Sequence, residues 1–596
     1  MLVARRSEGT TVTRLLIFGV ALALLLGGAG QASAKYTGSI TSRILTLQGD
    51  SKGDKLALRL SSDATQLEVD VKDDGSPDLT FALTDFDSVD VLAGAGNDTI
   101  RVDESHGSLG KQLVIDGGPG NDTITGGSGN DELIGGDGDD VLIGGRGDDT
   151  LLMGAGDDVA VWNPGDGDDI IEGQDGNDTL QFNGANVNEN YGIFANGARV
   201  ELTRDVANIV MDLHGIEEID VAARGGIDGF SINSLVGTDL KLLNVDLAGV
   251  PGSGAGDGAA DHLDFGGDSS TDVVTVGATK GVLEVDGLFT KIRVSGADGG
   301  SDLVRFFPFM AGEAHVLGSK GPDTMTVAAD GNAVRVDASD LPAIFEMESN
   351  NSKLVLFGLG GNDVITAGNG LAPLVSLEID GGAGNDTITG GDGNDTLIGG
   401  NGNDTIAGGR GDDQIDLGSG NDTAVWNPGD GNDVVEGGSG SNTLQFDCAN
   451  VAEKLDISAN GARERLTRDV GNIVMDLNGI GTINLPMRAG ADNITVNDMS
   501  GTDLKLVNLD LAGVPGSGTG DGANDSVIVN GRSNAPDVIN VKATGRGIAV
   551  TRARGSILIT GQDPTDLLLL DGNGGADKIK VSSSVAGKML VEQIVH

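Results

Sequence analysis

The sequence predicts an all-β protein: parallel β-roll cassettes built on a nonapeptide repeat, alternating with strand-rich segments of β-solenoid character. Three observations predict it. Two tracts repeat a nine-residue unit rich in glycine and aspartate, five times in phase, from Gly117 and again from Gly381. The segments between them hold short alternating runs headed by aspartate, such as Asp272-Val273-Val274-Thr275-Val276 and Asp525-Ser526-Val527-Ile528-Val529. Alternation with β-branching reads as strand. Helical periodicity is scarce, and 100 glycines with 3% aromatics in 596 residues cannot fill a thick core. For the segments outside the cassettes a β-sandwich is the alternative.

Charge narrows the partners. Lys and Arg total 38 against 90 Asp and Glu, so the net charge is 38 − 90 = −52. Phosphate binding needs a basic face, so no nucleic acid is expected. The single cysteine, Cys448, excludes an intramolecular disulfide framework. A compact chain this acidic repels itself unless cations are part of the fold. At the N-terminus Arg5, Arg6 and Arg14 precede an apolar run, Leu15 to Leu26, and then Ala32-Ser33-Ala34. That order reads as a secretory signal cleaved near Ala34, and the run is short for a bilayer span. The mature chain is therefore expected to be secreted or extracellular, without a membrane span, in a compartment rich in free calcium.

Internal repetition sets the organisation. Trp162-Asn163-Pro164-Gly165-Asp166-Gly167 returns as Trp426 to Gly431, an offset of 426 − 162 = 264. Leu202 to Val206 returns as Leu466 to Val470, and Gly237 to Lys241 as Gly501 to Lys505, at the same offset. The expected divisions are a signal peptide (1–34), a strand-rich lead-in (35–93), a first repeat cassette (94–183), a β-rich spacer (184–356), a second cassette (357–447) and a C-terminal β-rich segment (448–596).

The unit has the form G-G-x-G-x-D-x-φ-x, where φ is aliphatic. Its glycines allow a tight turn over the first six residues. Positions seven to nine are a minimal strand, and position eight points inward. That position is Ile124, Leu133, Leu142 and Leu151, then Ile388, Leu397, Ile406 and Ile415. Two units make one coil of eighteen residues, and coils stack about 4.8 Å apart. Units two apart then superpose. Asp122, Asp140 and Asp158 form one column, and Asp131 and Asp149 the opposite one. Asp386, Asp404, Asp422 and Asp395, Asp413 repeat the pattern. Bare carboxylates one rung apart repel by about 3.5 kcal/mol at an effective dielectric of 20. The inward aliphatic contributes only about 1.5–3 kcal/mol, so something must cancel the column charge. Turn carbonyls and carboxylates offer an all-oxygen shell, which suits Ca2+ better than strictly octahedral magnesium. Zinc and copper favour His or Cys, and the units contain neither.

These units resemble the hemolysin-type calcium-binding repeats of RTX proteins, over about residues 94–180 and 358–440. The resemblance implies a parallel β-roll with calcium between stacked turns. It implies as metal ligands the position-six aspartates Asp122, Asp131, Asp140, Asp149 and Asp158, and Asp386, Asp395, Asp404, Asp413 and Asp422. Further turns end at Asp169 and Asp178, with Asp433 in the place of Asp169 and Asn442 in that of Asp178. Met153 and Leu417 depart from the first glycine of the pattern, which implies weaker binding at the fifth turns. Many family members are exported through an uncleaved C-terminal signal, whereas this chain shows an N-terminal one.

No catalytic or cofactor-binding constellation emerges. Gly49-Asp50-Ser51-Lys52-Gly53 matches G-x-S-x-G by letter, but no helix follows it. The histidines form no HExxH. Arg146-Gly147-Asp148 is an adhesion tripeptide by letter but is simply positions three to five of a repeat. Trp162 and Trp426 are expected as apolar caps closing the roll. The chain is expected to be a calcium-binding scaffold and no enzyme, with its cell-surface or extracellular-matrix partner left open. The alternative is a polysaccharide-acting enzyme with paired carboxylates in the spacers.

Overall fold

The computed structural model describes residues 36–594, apart from 268–272, 309–311, 350–351 and 534. The signal-like segment 1–34 lies outside the described residues. Among the described residues there is no α-helix, only four three-residue 3-10 turns. Outside a few antiparallel switchbacks, strands pass alternately into two mainly parallel sheets that share one apolar core.

The nonapeptides set the rungs. In the first sheet Gln112–Pro119, Glu132–Asp137, Thr150–Ala155 and Ile170–Asp175 pair in parallel. In the second sheet Thr123–Thr125, Val141–Ile143, Val159–Trp162 and Thr179–Asn183 do the same. Leu133 lies between Ile115 and Leu151, and Leu142 between Ile124 and Ala160. The position-eight aliphatics of both cassettes are buried, as a strand with one inward side chain per unit requires. Backbones stack closely at the turns. Gly136 has φ +122, and a Cβ there would lie 2.0 Å from the carbonyl oxygen of Gly118 one coil away. Backbone cannot give way to it, so Gly136→Ala is expected to destabilise the cassette by about 2–5 kcal/mol, from left-handed strain and overpacking together. Chemical denaturation measures this, and an unchanged midpoint would contradict the stacking.

The roll continues past the nonapeptides. Thr179–Asn183 pairs with Glu218–Ala222, which pairs with Leu242–Asp246. At the far side of the spacer Ser352–Phe357 pairs with Val375–Ala383, and Val364–Ala367 with Thr387–Thr389. The spacers are thus solenoid coils, and not a β-sandwich. Their irregular spacing is absorbed by three-strand switchbacks. Asn190–Asn196 runs antiparallel to Arg199–Arg204, which runs antiparallel to Ile209–His214. The last strand lies on Ile170–Asp175, and the first carries Gly229–Ile232. Three rungs are laid down in one sheet without a crossing. The same device begins at Val273–Thr279, Thr324–Asp330, Lys454–Asn460 and Val538–Ala543.

The two copies do not sit in equivalent places. Gln112–Pro119 and its counterpart Val375–Ala383 lie in opposite sheets, as do the strands ending at Trp162 and Trp426. An odd number of sheet crossings separates the copies. The tryptophans are not terminal caps, because the roll does not end there. Trp162 is buried and stacks on Phe182 one coil away, with ring centroids 4.1 Å apart, and Trp426 stacks on Phe446 at 4.0 Å. Cys448 is buried. Among the described residues no helix is long and apolar enough to cross a membrane.

Candidate metal centre

Apart from Asp131 and Asp395, which head their columns, the position-six aspartates close their turns in the same way: Oδ1 accepts the backbone N–H of the aspartate one coil earlier, whereas Asp131 Oδ1 accepts that of Leu113 at 3.1 Å. Asp122 N–H donates to Asp140 at 2.6 Å, Asp140 to Asp158 at 2.7 Å, and Asp158 to Asp178 at 3.0 Å. On the opposite edge Asp131 N–H donates to Asp149 at 2.7 Å and Asp149 to Asp169 at 2.9 Å. In the second cassette Asp386 donates to Asp404 at 2.8 Å and Asp404 to Asp422 at 2.9 Å. There the opposite column is Asp395 to Asp413 at 2.9 Å and Asp413 to Asp433 at 3.1 Å. All the aspartates singled out from the sequence therefore fall into four columns.

In ten of these thirteen aspartates the second carboxylate oxygen has no donor. Oδ2 of Asp122, Asp140, Asp149, Asp158 and Asp178 is buried and unpartnered, as is that of Asp386, Asp395, Asp404, Asp413 and Asp422. Asp131 differs, since its Oδ2 accepts the N–H of Gly127 at 3.1 Å. The orphaned oxygens face the first residue of their own unit. A Cβ on Gly117 would meet Asp122 Oδ2 at 2.3 Å and the carbonyl oxygen of Gly135 at 2.8 Å. On Gly135 it would meet the Met153 carbonyl at 2.3 Å and Asp140 Oδ2 at 2.4 Å. Acceptors crowd one spot with no proton between them, which is costly when buried.

Two rungs show what relieves this. Asn442 stands where the pattern expects aspartate. Its Oδ1 accepts the ladder N–H of Asp422 at 3.2 Å, and its Nδ2 donates to the carbonyls of Gly437 and Gly479 at 2.5 and 3.2 Å. An amide donor satisfies the carbonyls that an aspartate oxygen can only repel. At Glu189, the protein supplies a cation. Arg204 and Tyr191 bind the buried carboxylate, while Arg204 lies over the Trp162 ring at 5.4 Å. Glu453 and Arg468 repeat the pair beside Trp426.

Burial governs the electrostatics of the columns. It raises Asp140 and Asp149 to about 7 and Asp169 to about 8, opposed in part by the ladder N–H, while neighbouring carboxylates push further upward. Burial, with Asp413 alongside, takes Asp395 to about 8, and burial takes Asp433 to about 7. Among the described residues no three His, Cys, Asp or Glu side chains converge on one point. An ion held here takes much of its shell from turn carbonyls. The donors are all oxygen, and buried oxygens lack a partner, so the residues present fit calcium.

The ladder also extends beyond the units. Asp98 N–H donates to Asp122 at 2.7 Å, and Asp323 leads through Asp363 to Asp386 at 2.8 Å per step. Asp98 and Asp363 are legible in the sequence as isolated single turns of the unit, whereas Asp323 only heads an alternating run and reads as a strand boundary.

These features define a β-solenoid with buried aspartate columns at its turns. The family model of the RTX calcium-binding nonapeptide repeat matches residues 116–151, 125–160, 165–186, 355–370, 378–406, 389–424 and 429–445. The chain carries RTX calcium-binding nonapeptide repeats in several copies. No curated protein matches it. Among solved structures it is similar to an extracellular lipase, LipA from Serratia marcescens, at 16% identity and a TM-score of 0.14, covering 67% of this chain and 43% of that one. The chain thus spans less than half of that lipase, and the likeness is too loose to bear on activity.

Proposed function

We propose that this is an exported calcium-binding repeat protein, a scaffold outside the cell or at its surface, whose folding is coupled to Ca2+. The orphaned Oδ2 oxygens of the columns carry this conclusion. A hard dication beside them replaces the missing donor and draws carboxylate and carbonyl oxygens together. The residues that would hold it are Asp122, Asp131, Asp140, Asp149, Asp158, Asp169 and Asp178, with Asp386, Asp395, Asp404, Asp413, Asp422 and Asp433. Each gives one oxygen to a backbone N–H or faces its own turn from a buried position, which suits structure rather than catalysis. Export is supported by the basic, apolar and small-residue order of residues 5–34. An unfolded chain would cross the membrane and fold where calcium is abundant.

Asn442→Asp tests the role given to the orphaned oxygen. It removes the amide donor and restores the aspartate pattern. Equilibrium dialysis with elemental analysis is expected to show one more bound calcium per chain than the wild type, and the metal-free variant to be less stable. An unchanged count would overturn the role of this position, and a wild-type chain that takes up no calcium at millimolar concentration would overturn the whole proposal.

A further inference from the structure

The nonapeptide matches stop at residue 186 in the first copy and 445 in the second. The aspartate ladder goes on. Beyond the first switchback Glu189 N–H donates to Asp228 Oδ1 at 2.8 Å, Asp228 to Asp261 at 2.8 Å, and Asp261 to Asp302 at 3.0 Å. In the second copy Glu453 donates to Asp492 at 2.9 Å, Asp492 to Asp525 at 2.9 Å, and Asp525 to Asp566 at 3.0 Å. These rungs are 39, 33 and 41 residues apart instead of eighteen, so a nine-residue consensus does not register them.

Two more carboxylates flank each ladder. Asp257 accepts the N–H of Gly226 at 2.8 Å, and Asp298 that of Gly258 at 2.6 Å. Asp521 and Asp563 do the same for Gly490 and Gly522, at 2.8 and 2.7 Å. Through these bonds Asp257 is held at Gly226, two residues before Asp228, and Asp521 at Gly490, two residues before Asp492. None of these carboxylates forms an ion pair among the described residues. One rung earlier Arg204 and Arg468 neutralise Glu189 and Glu453, and no arginine does so here.

An independent observation points to a ligand. Asp228 and Asp492 are 1% and 2% exposed, and the Oδ2 of each is buried without a partner. The loop that brings in the flanking carboxylate is also the same in both copies. Gly237 to Ala259 and Gly501 to Ala523 differ only at Leu243/Val507, Val245/Leu509 and Ala255/Thr519. Asp246 holds this loop by accepting the N–H groups of Ala248 and Gly252, as Asp510 does for Ala512 and Gly516. The similarity fades just past the loop, where His262 stands against Ser526. A stretch outside the nonapeptides has thus kept its sequence in both copies while its neighbours diverged.

We infer that each spacer holds a divalent-cation site of a second class, one per copy, built on the orphaned oxygen of Asp228 with Asp257 beside it, and on that of Asp492 with Asp521 beside it. The ligand is a hard, oxygen-seeking dication, calcium before magnesium, because the donors the site offers are carboxylate oxygens. The ion ties the long loop to the rung beneath it and so secures coils that lack the nonapeptide turn. This inference rests on the calcium reading of the cassettes, since an orphaned ladder oxygen is the common feature.

The test is a count of bound calcium in the full chain carrying Asp228→Asn and Asp492→Asn, beside the wild type. Asn442 shows that an amide fits a ladder rung. Two fewer ions per chain are expected, with the calcium-dependent rise in β signal retained. The same count in a folded variant overturns the inference. If that variant does not fold, Asp257→Asn with Asp521→Asn, placed on the loops, is measured against the same two outcomes. A wild type that binds no calcium removes the cassette reading as well, whereas a wild type that binds calcium and variants that bind the same number remove this inference alone.

Discussion

Calcium added to the metal-free protein at neutral pH is expected to raise its melting temperature by about 20 °C or more and to increase its far-ultraviolet β signal. Each site that binds only the folded state adds about 2.7 kcal/mol when calcium stands at a hundred times its dissociation constant. Four such sites in one cassette add about 11 kcal/mol. In a solenoid each coil contacts only its neighbours, so a cassette melts largely on its own account. A cassette of about 90 residues, 94–183, has the size for which each kcal/mol moves the midpoint by about 4–8 °C. Calorimetry and circular dichroism of the chelated and calcium-loaded chains measure this. Equal melting temperatures and equal β signals would mean that the columns hold themselves together, and the orphaned oxygens would then need another explanation.

The cassettes were legible because a fixed period turns sequence distance into spatial position. Once eighteen residues make a coil, Asp122, Asp140 and Asp158 must superpose, and the inward aliphatics follow from strand alternation. The spacers obey the same rule with an irregular rung length, from Asp228 to Asp261 and on to Asp302, so the ladder left no period to find. The switchbacks did leave a signal. Asn196-Gly197, Asp330-Gly331 and Asn460-Gly461 sit between alternating apolar runs, and such dipeptides mark two-residue hairpin turns. Read as hairpins, they would have separated the solenoid from a sandwich. The tryptophans misled because the loss of the nonapeptide pattern after Trp162 looked like the end of the roll, whereas only the turn chemistry changes there. Glu189 and Arg204 gave no sequence cue at all. Their pairing depends on the switchback that returns Arg204 beside Glu189, and on Trp162 lying under the guanidinium.

Stability should respond to pH in opposite directions with and without calcium. In the metal-free fold, burial raises Asp178 to about 6, Asp140 and Asp149 to about 7, and Asp169 and Asp395 to about 8, from 3.8. Between about pH 4 and 8 the folded chain therefore holds protons that the unfolded chain has released. Stability is greatest below the unfolded value and is lost as pH rises through the folded ones. Bound calcium reverses the sign. It favours the ionised carboxylates, so their folded values fall below the unfolded one, and stability is present at neutral pH and lost on acidification. Melting temperatures at pH 5 and pH 8 should therefore rank pH 5 above pH 8 in chelator and pH 8 above pH 5 in calcium. The net charge of −52 also disfavours the metal-free fold as pH rises, but it is spread over the whole chain. Replacing Asp140, Asp149 and Asp169 together by asparagine removes only a small part of that charge, yet it should flatten much of the metal-free pH dependence if the buried columns are its source. A slope unchanged by that triple replacement would assign the effect to general repulsion and leave the columns without their role in it.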